Sequence, residues 1–266
     1  MDVLAVRTAF NRQLRQDLRP TAGAAVQWDE LVTRVVGEGW RGVVWSDLTY
    51  ENADNVIAGE VARFSGESWE WKHYFGDRPE DLPERLLRAG FVADPPESVM
   101  VADLGDLDLN AALPDGVELV TVSIAGDVEA LVRVHDDVFG GDHQSVGQHV
   151  AAALGADRPT VVGVLARAGD TAVSAGRVEF HEGTEFASMW GGGTLAAWRH
   201  QGVFRALVAR RAALAVNRGF RYLQVDAMSS SRPILARMGF VELLTTTPYR
   251  RAAEEAQGVL DDSRRA

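Results

Sequence analysis

The stretch Trp198-Arg199-His200-Gln201-Gly202-Val203-Phe204-Arg205 sets donor side chains and one glycine directly ahead of a helical pattern. The first turn of a helix leaves backbone N–H groups without partners, and the macrodipole adds partial positive charge there. A glycine at the turn lets backbone approach a ligand closely. Strand, loop and helix start together make a phosphate cradle. Arg199 and Arg205 flank those amides and suit bidentate contact with phosphate oxygens. No Gly-Lys-Ser/Thr follows, which excludes the ATP-binding loop, and the G-x-G-x-x-G pattern of dinucleotide folds is missing. The alternative is an ordinary loop closing onto a helix.

Other chemistries are closed by composition. The chain has no cysteine, so disulfides, thiolate metal sites and a cysteine nucleophile are excluded. His143 and His149 do not share one helix face and no His-Glu-x-x-His occurs, so no metal is expected. A formal net charge of -11 repels phosphate backbones and anionic bilayers, so neither nucleic acid nor membrane is an expected partner. A cationic small molecule would be drawn inward by the same field. The opening residues lack the uncharged apolar core of a signal peptide, and a cytoplasmic location is expected.

The elements that must position the cradle are legible in the second half. Gly116–Val122 is a β-rich run, and Ala125–Phe139 carries Val128, Leu131, Val132 and His135 at helical spacing. Apolar runs from Arg158 onward break at Ala168-Gly169-Asp170 and at Glu182-Gly183-Thr184, the signature of antiparallel hairpins. A helix is expected from Val203 to about Asn217 with Gly219 as its stop. Tyr222–Met228 is a short strand and Ser230–Gly239 a short helix with Pro233 in its first turn. Phe240–Tyr249 is a last strand. This order predicts an α+β fold, a mixed and mostly antiparallel sheet with flanking helices. At the other end, the opening stretch reads as an amphipathic helix with Leu4, Phe10 and Leu14 inward, stopping before Pro20.

The first half contains an echo. Leu86–Val92 (LLRAGFV) matches Leu235–Val241 (LARMGFV) at five of seven positions. The separation is far beyond the roughly 20–50-residue period of solenoids, so it indicates one duplication. Ala93–Gly116, with its paired prolines, reads as the joint between halves. The expected units are 1–115, 116–251 and a tail, 252–266.

The Arg199-His200-Gln201-Gly202-Val203-Phe204 hexad, in this order of elements, resembles the GNAT superfamily of acyl-CoA-dependent N-acyltransferases. Its hallmark is Arg/Gln-x-x-Gly-x-Gly/Ala between the fourth strand and third helix. The closing Pro233–Phe240 segment is similar to the family's last helix and its Gly-Phe entry to a strand. The resemblance covers about Gly116–Arg251. The first half, ending in Gly90-Phe91 without an Arg-x-x-Gly loop, looks like the degenerate partner of tandem members, where no cofactor is expected. The resemblance implies that acetyl-CoA is the co-substrate. It implies that the amides of Gln201, Gly202, Val203, Phe204 and Arg205, next to Arg199 and His200, hold the pyrophosphate. It further implies that backbone at Gly192, Gly193 and Thr194 pairs with the pantetheine arm as an added strand, and that Ser230 contacts CoA. Phe204 stands where Gly or Ala is usual, which requires its ring to turn into the core.

Acyl transfer to an amine needs a base for the acceptor's ammonium proton. Family members often place a Glu on the third or fourth strand, and this hairpin offers Glu179, His181 and Glu185. The same residues also suit a plain role, as solvated strand-edge carboxylates and a surface imidazole beside a turn. The family's usual acid, a Tyr four residues before the Gly-Phe glycine, is Leu235 here. A thiol of pKa about 8.5 leaves without much help. Trp40, Trp45, Trp69 and Trp71 read as core and inter-half packing. The implied function is transfer of an acetyl or other short acyl group from acyl-CoA to an amino group of a small molecule or peptide, by a monomer or homodimer. The alternative is a silent acyl-CoA-binding sensor or structural protein.

Overall fold

A computed structural model describes residues 1–21, 23–37 and 40–253. The chain opens with α1 (Val3–Phe10), capped by the Asp2 carboxylate and continued by a π-helical turn, Asn11–Gln16. Strands β1 (Ala24–Trp28), β2 (Val32–Gly37) and β3 (Arg41–Ser46) form a meander. Helix α2 (Ala53–Arg63) crosses over to β4 (Trp69–Tyr74), and α3 (Leu82–Arg88) leads to β5 (Val92–Ala93) and β6 (Glu97–Asp103). The second half repeats the plan. It runs β7 (Val117–Thr121), α4 (Ala125–Phe139), α5 (Gln144–Ala151), β8 (Val161–Ala168), β9 (Thr171–Phe180) and β10 (Phe186–Thr194). Then come α6 (Val203–Asn217), β11 (Tyr222–Ala227), α7 (Arg232–Arg237) and β12 (Val241–Arg251).

Among the described residues the strands form one 12-stranded sheet, in the order β1-β2-β3-β4-β12-β6-β11-β10-β9-β8-β7, with β5 also on β12. The fold class is the expected α+β, with a mixed and mostly antiparallel sheet. Only β3–β4 and β10–β11 are parallel; a parallel pair needs a crossover, here α2 and α6. The last strands are exchanged between halves. β6 ends the first half but pairs with β11, and β12 ends the second half but pairs with β4. β6 and β12 meet antiparallel at the centre.

The echo segments fold alike. Gly90 and Gly239 take φ of +87° and +98°, and the amides of Phe91 and Phe240 reach back to the Leu86 and Leu235 carbonyls, each at 3.1 Å. That left-handed turn is open to glycine at little steric cost and ends both helices.

Three readings are corrected. Leu4 is 63% exposed and Val6 takes its inward place, because α1 buries the face bearing Val6, Phe10 and Leu14. The stretch Ala93–Gly116 is more than a joint, since it supplies β6, whose Ser98–Ala102 core is buried on both faces of the sheet. Helix α5 lies in a stretch to which the sequence reading assigns no element. The final strand extends to Arg251, and the tail from 254 on lies outside the described residues.

Each parallel pair splays after a short contact. β3 and β4 pair only at Gly42↔Glu70 and Val43↔Trp71, and β10 and β11 only from Phe186↔Tyr222 to Ser188↔Gln224. In the first half the gap is plugged. Buried Arg15 donates from Nε to the Val44 carbonyl at 3.1 Å and from Nη2 to both Asp77 carboxylate oxygens at 2.7 Å. Its guanidinium stacks 3.8 Å from the Tyr74 ring centre, and Asp77 accepts the Tyr74 amide. Removing one member of a buried ion pair strands the other charge. Arg15→Met and Asp77→Asn are each expected to lower stability by about 3 kcal/mol, and the double variant by clearly less than the sum of the two. Urea unfolding of the three variants checks this.

Candidate functional site

β10 and β11 stop pairing after Ser188↔Gln224, and the Ala112 carbonyl of the segment joining the halves lies 3.1 Å from where a Cβ on Gly202 would stand. Ahead of α6, a 3-10 turn (Ala196–Trp198) opens the strand-to-helix loop, and His200 and Gly202 take φ of +63° and +88°. No side chain caps α6, so its first amides keep their donors for another partner. The loop is held by its own side chains. Arg199 donates from Nε to the Thr194 carbonyl at 3.0 Å, and Gln201 from Nε2 to the Ala197 carbonyl at 2.9 Å. Arg199, His200, Gln201 and Arg205 are exposed, and Val203 is buried. The Phe204 ring packs on the main core cluster, away from the uncapped amides. Ser230 is exposed in the turn before α7, and Leu235 is core.

The register of β10 against β9 slips between Trp190 and Gly193. The glycines make that bulge possible. A Cβ on Gly191, at φ +60°, would meet the His135 ring at 2.6 Å, and one on Gly193 would meet Val138 at 2.9 Å. On the other side of the sheet, Gly176 and Gly192 leave room for the Arg211 guanidinium. Arg211 is 1% exposed and donates to the Leu207 and Arg177 carbonyls. Burial, with the Arg177 charge, lowers it to about 9. Gly193 and Thr194 are tied to β9 through Ser174, whose hydroxyl donates to the Gly193 carbonyl at 2.6 Å.

Beneath the gap lies a cavity of about 380 Å³ between the two halves. Strand alternation points Arg177 and Glu179 of β9, Ser188 and Trp190 of β10, and Gln224 and Asp226 of β11 toward it, and His181, just after β9, lines it too. Glu179 and His181 are buried rather than solvated as a plain strand edge would be, because α5 and the first half cover them. Glu179 accepts from Arg177 Nε at 2.8 Å and meets His149 Nε2 at 3.3 Å. Burial alone would raise its carboxyl. The Arg177 charge and the His149 contact outweigh this and hold it at about 2. His181 Nε2 lies 2.9 Å from Ser188 Oγ, and its Nδ1 has no hydrogen-bond partner. Burial lowers the imidazole, Glu179 opposing, so it stays neutral at pH 7. With Nδ1 unpartnered, the Ser188–His181 pair lacks the orienting acid of a serine-nucleophile relay. Glu185 is elsewhere. It accepts from Gln13 Nε2 at 3.0 Å and meets Arg221 at 3.5 Å, tying the π-helical turn to β10.

No protein-family model matches the chain, and no curated protein matches it in sequence. Solved structures resemble it closely in shape. A GCN5-related N-acetyltransferase from Kribbella flavida superposes with a TM-score of 0.62 at 15% identity, covering 95% of this chain and 96% of that one. A tandem GNAT protein from the clavulanic acid biosynthesis pathway gives 0.57 at 10% identity, with 89% and 86% covered. A functionally unknown conserved protein from Staphylococcus epidermidis gives 0.65 at 14%, with 90% and 97% covered. The chain has the GNAT fold.

Within this GNAT fold the first half supplies residues that the sequence did not single out. Lys72 of β4 is buried in the cavity wall, with Nζ 2.5 Å from Asp226, 3.4 Å from Glu97 and 5.4 Å from the Trp190 ring centre. Burial would lower it, but Asp226 and its neighbours raise it well above the usual ammonium range. Glu70 and Glu97 are pushed up by burial, with Lys72 opposing. Trp40 lines the cavity and donates to Glu70 at 3.3 Å, whereas Trp69 and Trp71 are core as expected. Asp226 was legible only as an alternating strand residue. The pairing of halves that brings Lys72 to it leaves no local signal. No group of three or more His, Cys, Asp or Glu among the described residues is placed to hold a metal ion. No helix among them is long and apolar enough to cross a membrane.

A carboxyl depressed in the folded state stabilises above its unfolded value and loses that contribution as pH falls through the folded one. The advantage of the native protein over Glu179→Gln, about 3 kcal/mol at neutral pH from the size of the shift, is expected to fade from about pH 4.5 toward 2. Urea midpoints across that range measure it.

Proposed function

We propose that the chain is an acyl-CoA-dependent N-acyltransferase, with acetyl-CoA as co-substrate and a small-molecule or peptide amine as acceptor. The observation that carries this reading is that β10 and β11 stop pairing after Ser188↔Gln224 beside the uncapped start of α6, while residues of both strands, Ser188, Trp190, Gln224 and Asp226, line the cavity. In this reading residues 116–251 bind the acyl-CoA and 1–115 close the acceptor cavity, their own gap being filled by Arg15.

The pyrophosphate sits on the amides of Gln201–Arg205 with Arg199, His200 and Arg205 beside it, and Ser230 lies at the opposite lip. Pantetheine pairs with the free edge of β10 through Gly192, Gly193 and Thr194. The thioester carbonyl then meets backbone N–H at the bulge, where developing negative charge is held by fixed dipoles. The buried Arg211 cation behind Gly192 adds positive potential. His181 is the base. With Nε2–H donating to Ser188, its Nδ1 lone pair takes the acceptor's ammonium proton. The neutral nitrogen attacks the thioester carbon, the tetrahedral intermediate collapses, the C–S bond breaks, and the second proton of the nitrogen passes to the departing thiolate, so that an amide and CoA thiol leave. Glu179, at about 2, is too weak a base and acts by stabilising the imidazolium. Glu185 takes no part.

Two outcomes are expected. Saturating acetyl-CoA raises Tm by about 5 °C or more at a hundredfold excess over Kd, and Gly202→Glu removes that shift. Absence of a shift in the native protein removes the proposal. His181→Ala lowers kcat by about 10²–10⁴ with acetyl-CoA binding intact. The rate profile of the native protein has an acidic limb below pH 6.5, because burial lowers the imidazole, and that limb vanishes in His181→Ala. In Glu179→Gln the limb moves to lower pH, and Glu185→Gln keeps near-native rates. Tight acetyl-CoA binding with no thiol release from any amine would leave a binding protein, not a transferase.

A further inference from the structure

We infer that the acceptor carries a second cationic group, and that Glu70 and Glu97 hold this group while the reacting nitrogen lies at His181. The inference rests on the acyl-transfer reading for the reacting end alone. It begins with the charges that face the cavity. On β9, Arg177 is matched by Glu179, which also meets His149 of α5. On the β4 side, Lys72 is the one buried ammonium, and three carboxylates surround it: Asp226, Glu97 and Glu70. Arg250 of β12 pairs with Glu70 only at long range. Its side chain is 67% exposed and bonds Asp94 at 2.5 Å, standing 3.9 Å from Glu70. Arg19 lines the cavity from the loop after the π-helical turn. The interior around Lys72 therefore carries excess negative charge.

Buried carboxylates are costly unless a cation or hydrogen bonds compensate them. Glu70 is 8% exposed and takes one hydrogen bond from Trp40. Both glutamates are pushed up by burial, with the Lys72 charge opposing. A second, independent feature marks the space as a ligand site: His181, 6% exposed and lining the same cavity, has an unpartnered Nδ1. Lys72 links the two ends, being 3.4 Å from Glu97 and 5.4 Å from the Trp190 ring on the strand that neighbours His181. The cavity walls also include Phe10, Leu14, Val26, Val35 and Val44, which suit a hydrocarbon spacer. Two basic nitrogens joined by an alkyl chain fit this pattern, as in a diamine or polyamine. A distal carboxylate does not.

The test uses the full chain saturated with CoA and three probes of one length: 1,6-diaminohexane, 1-aminohexane and 6-aminohexanoate. Calorimetric titration is expected to show the diamine binding about 30-fold tighter than the monoamine, with 6-aminohexanoate weakest. Glu97→Gln and Glu70→Gln should each collapse the diamine-to-monoamine ratio by about tenfold, and Glu97→Asp should keep most of it. If Glu97→Gln does not fold, Glu70→Gln reads the same quantity. Equal affinities for diamine and monoamine, a ratio unmoved in the folded variants, or tightest binding of 6-aminohexanoate would each overturn the inference. Thiol release from acetyl-CoA separates the two readings. Selective diamine binding without release supports this site and removes the transferase proposal. Release at equal kcat/KM from diamine and monoamine does the opposite.

Discussion

The antiparallel pairing of β6 with β12 at the centre of the sheet is the contact on which the rest of the structure depends. Each of these strands closes one half of the chain but pairs with the partner half's crossover strand, β6 with β11 and β12 with β4. Neither half can complete its sheet without the other. The exchange also fixes what lies on one face. Glu97 comes to stand between the residues of β4 and those of β11, so that Lys72 reaches Asp226 across the sheet. The cavity is thus a property of the joined halves.

The two halves handle the same geometry in opposite ways. A parallel pair entered through a helical crossover parts after a short contact in both. In the first half, Arg15 from the N-terminal helical segment occupies the gap, satisfied by a carbonyl, a carboxylate and an aromatic face. In the second half, the corresponding edge of β10 stays unpaired beyond Ser188, and the bulge through Gly191–Gly193 turns its backbone without side chains in the way. A buried ion pair fills the first gap, and the bulge beside the second is built from glycines.

Electrostatics assigns different work to residues that look alike. Glu179 and Glu185 belong to one hairpin, yet Glu179 is buried between Arg177 and His149 while Glu185 is a tether at the turn. His181 and His135 are both buried and imidazole-neutral, yet only His181 lines the cavity; His135 packs behind Gly191 and is lowered to about 4, by burial first and then by Arg177. Burial and the nearest charge, rather than residue type, set the surroundings of each of these groups.

The sequence by itself determined the local elements whose signals are short-ranged. The hairpins at Gly169 and Gly183, the 3.6-residue pattern of α4, the span of α6 and the glycine stops at Gly90 and Gly239 are written in neighbouring residues. So is the donor-rich loop from Arg199 to Arg205, since an uncapped helix start behind a glycine is a local construction. Tertiary structure alone decided the rest. β6 is a short buried run that periodicity cannot tell from a linker, and its partners lie more than a hundred residues away in β11 and β12. The burial of Glu179 and His181 depends on α5 and on the first half covering them, and the charges of Glu70, Lys72 and Glu97 gain meaning only beside Asp226. Which face of a strand is solvent, and which carboxylate lacks a cation, is set by what packs across from it, and no local pattern in the chain encodes that.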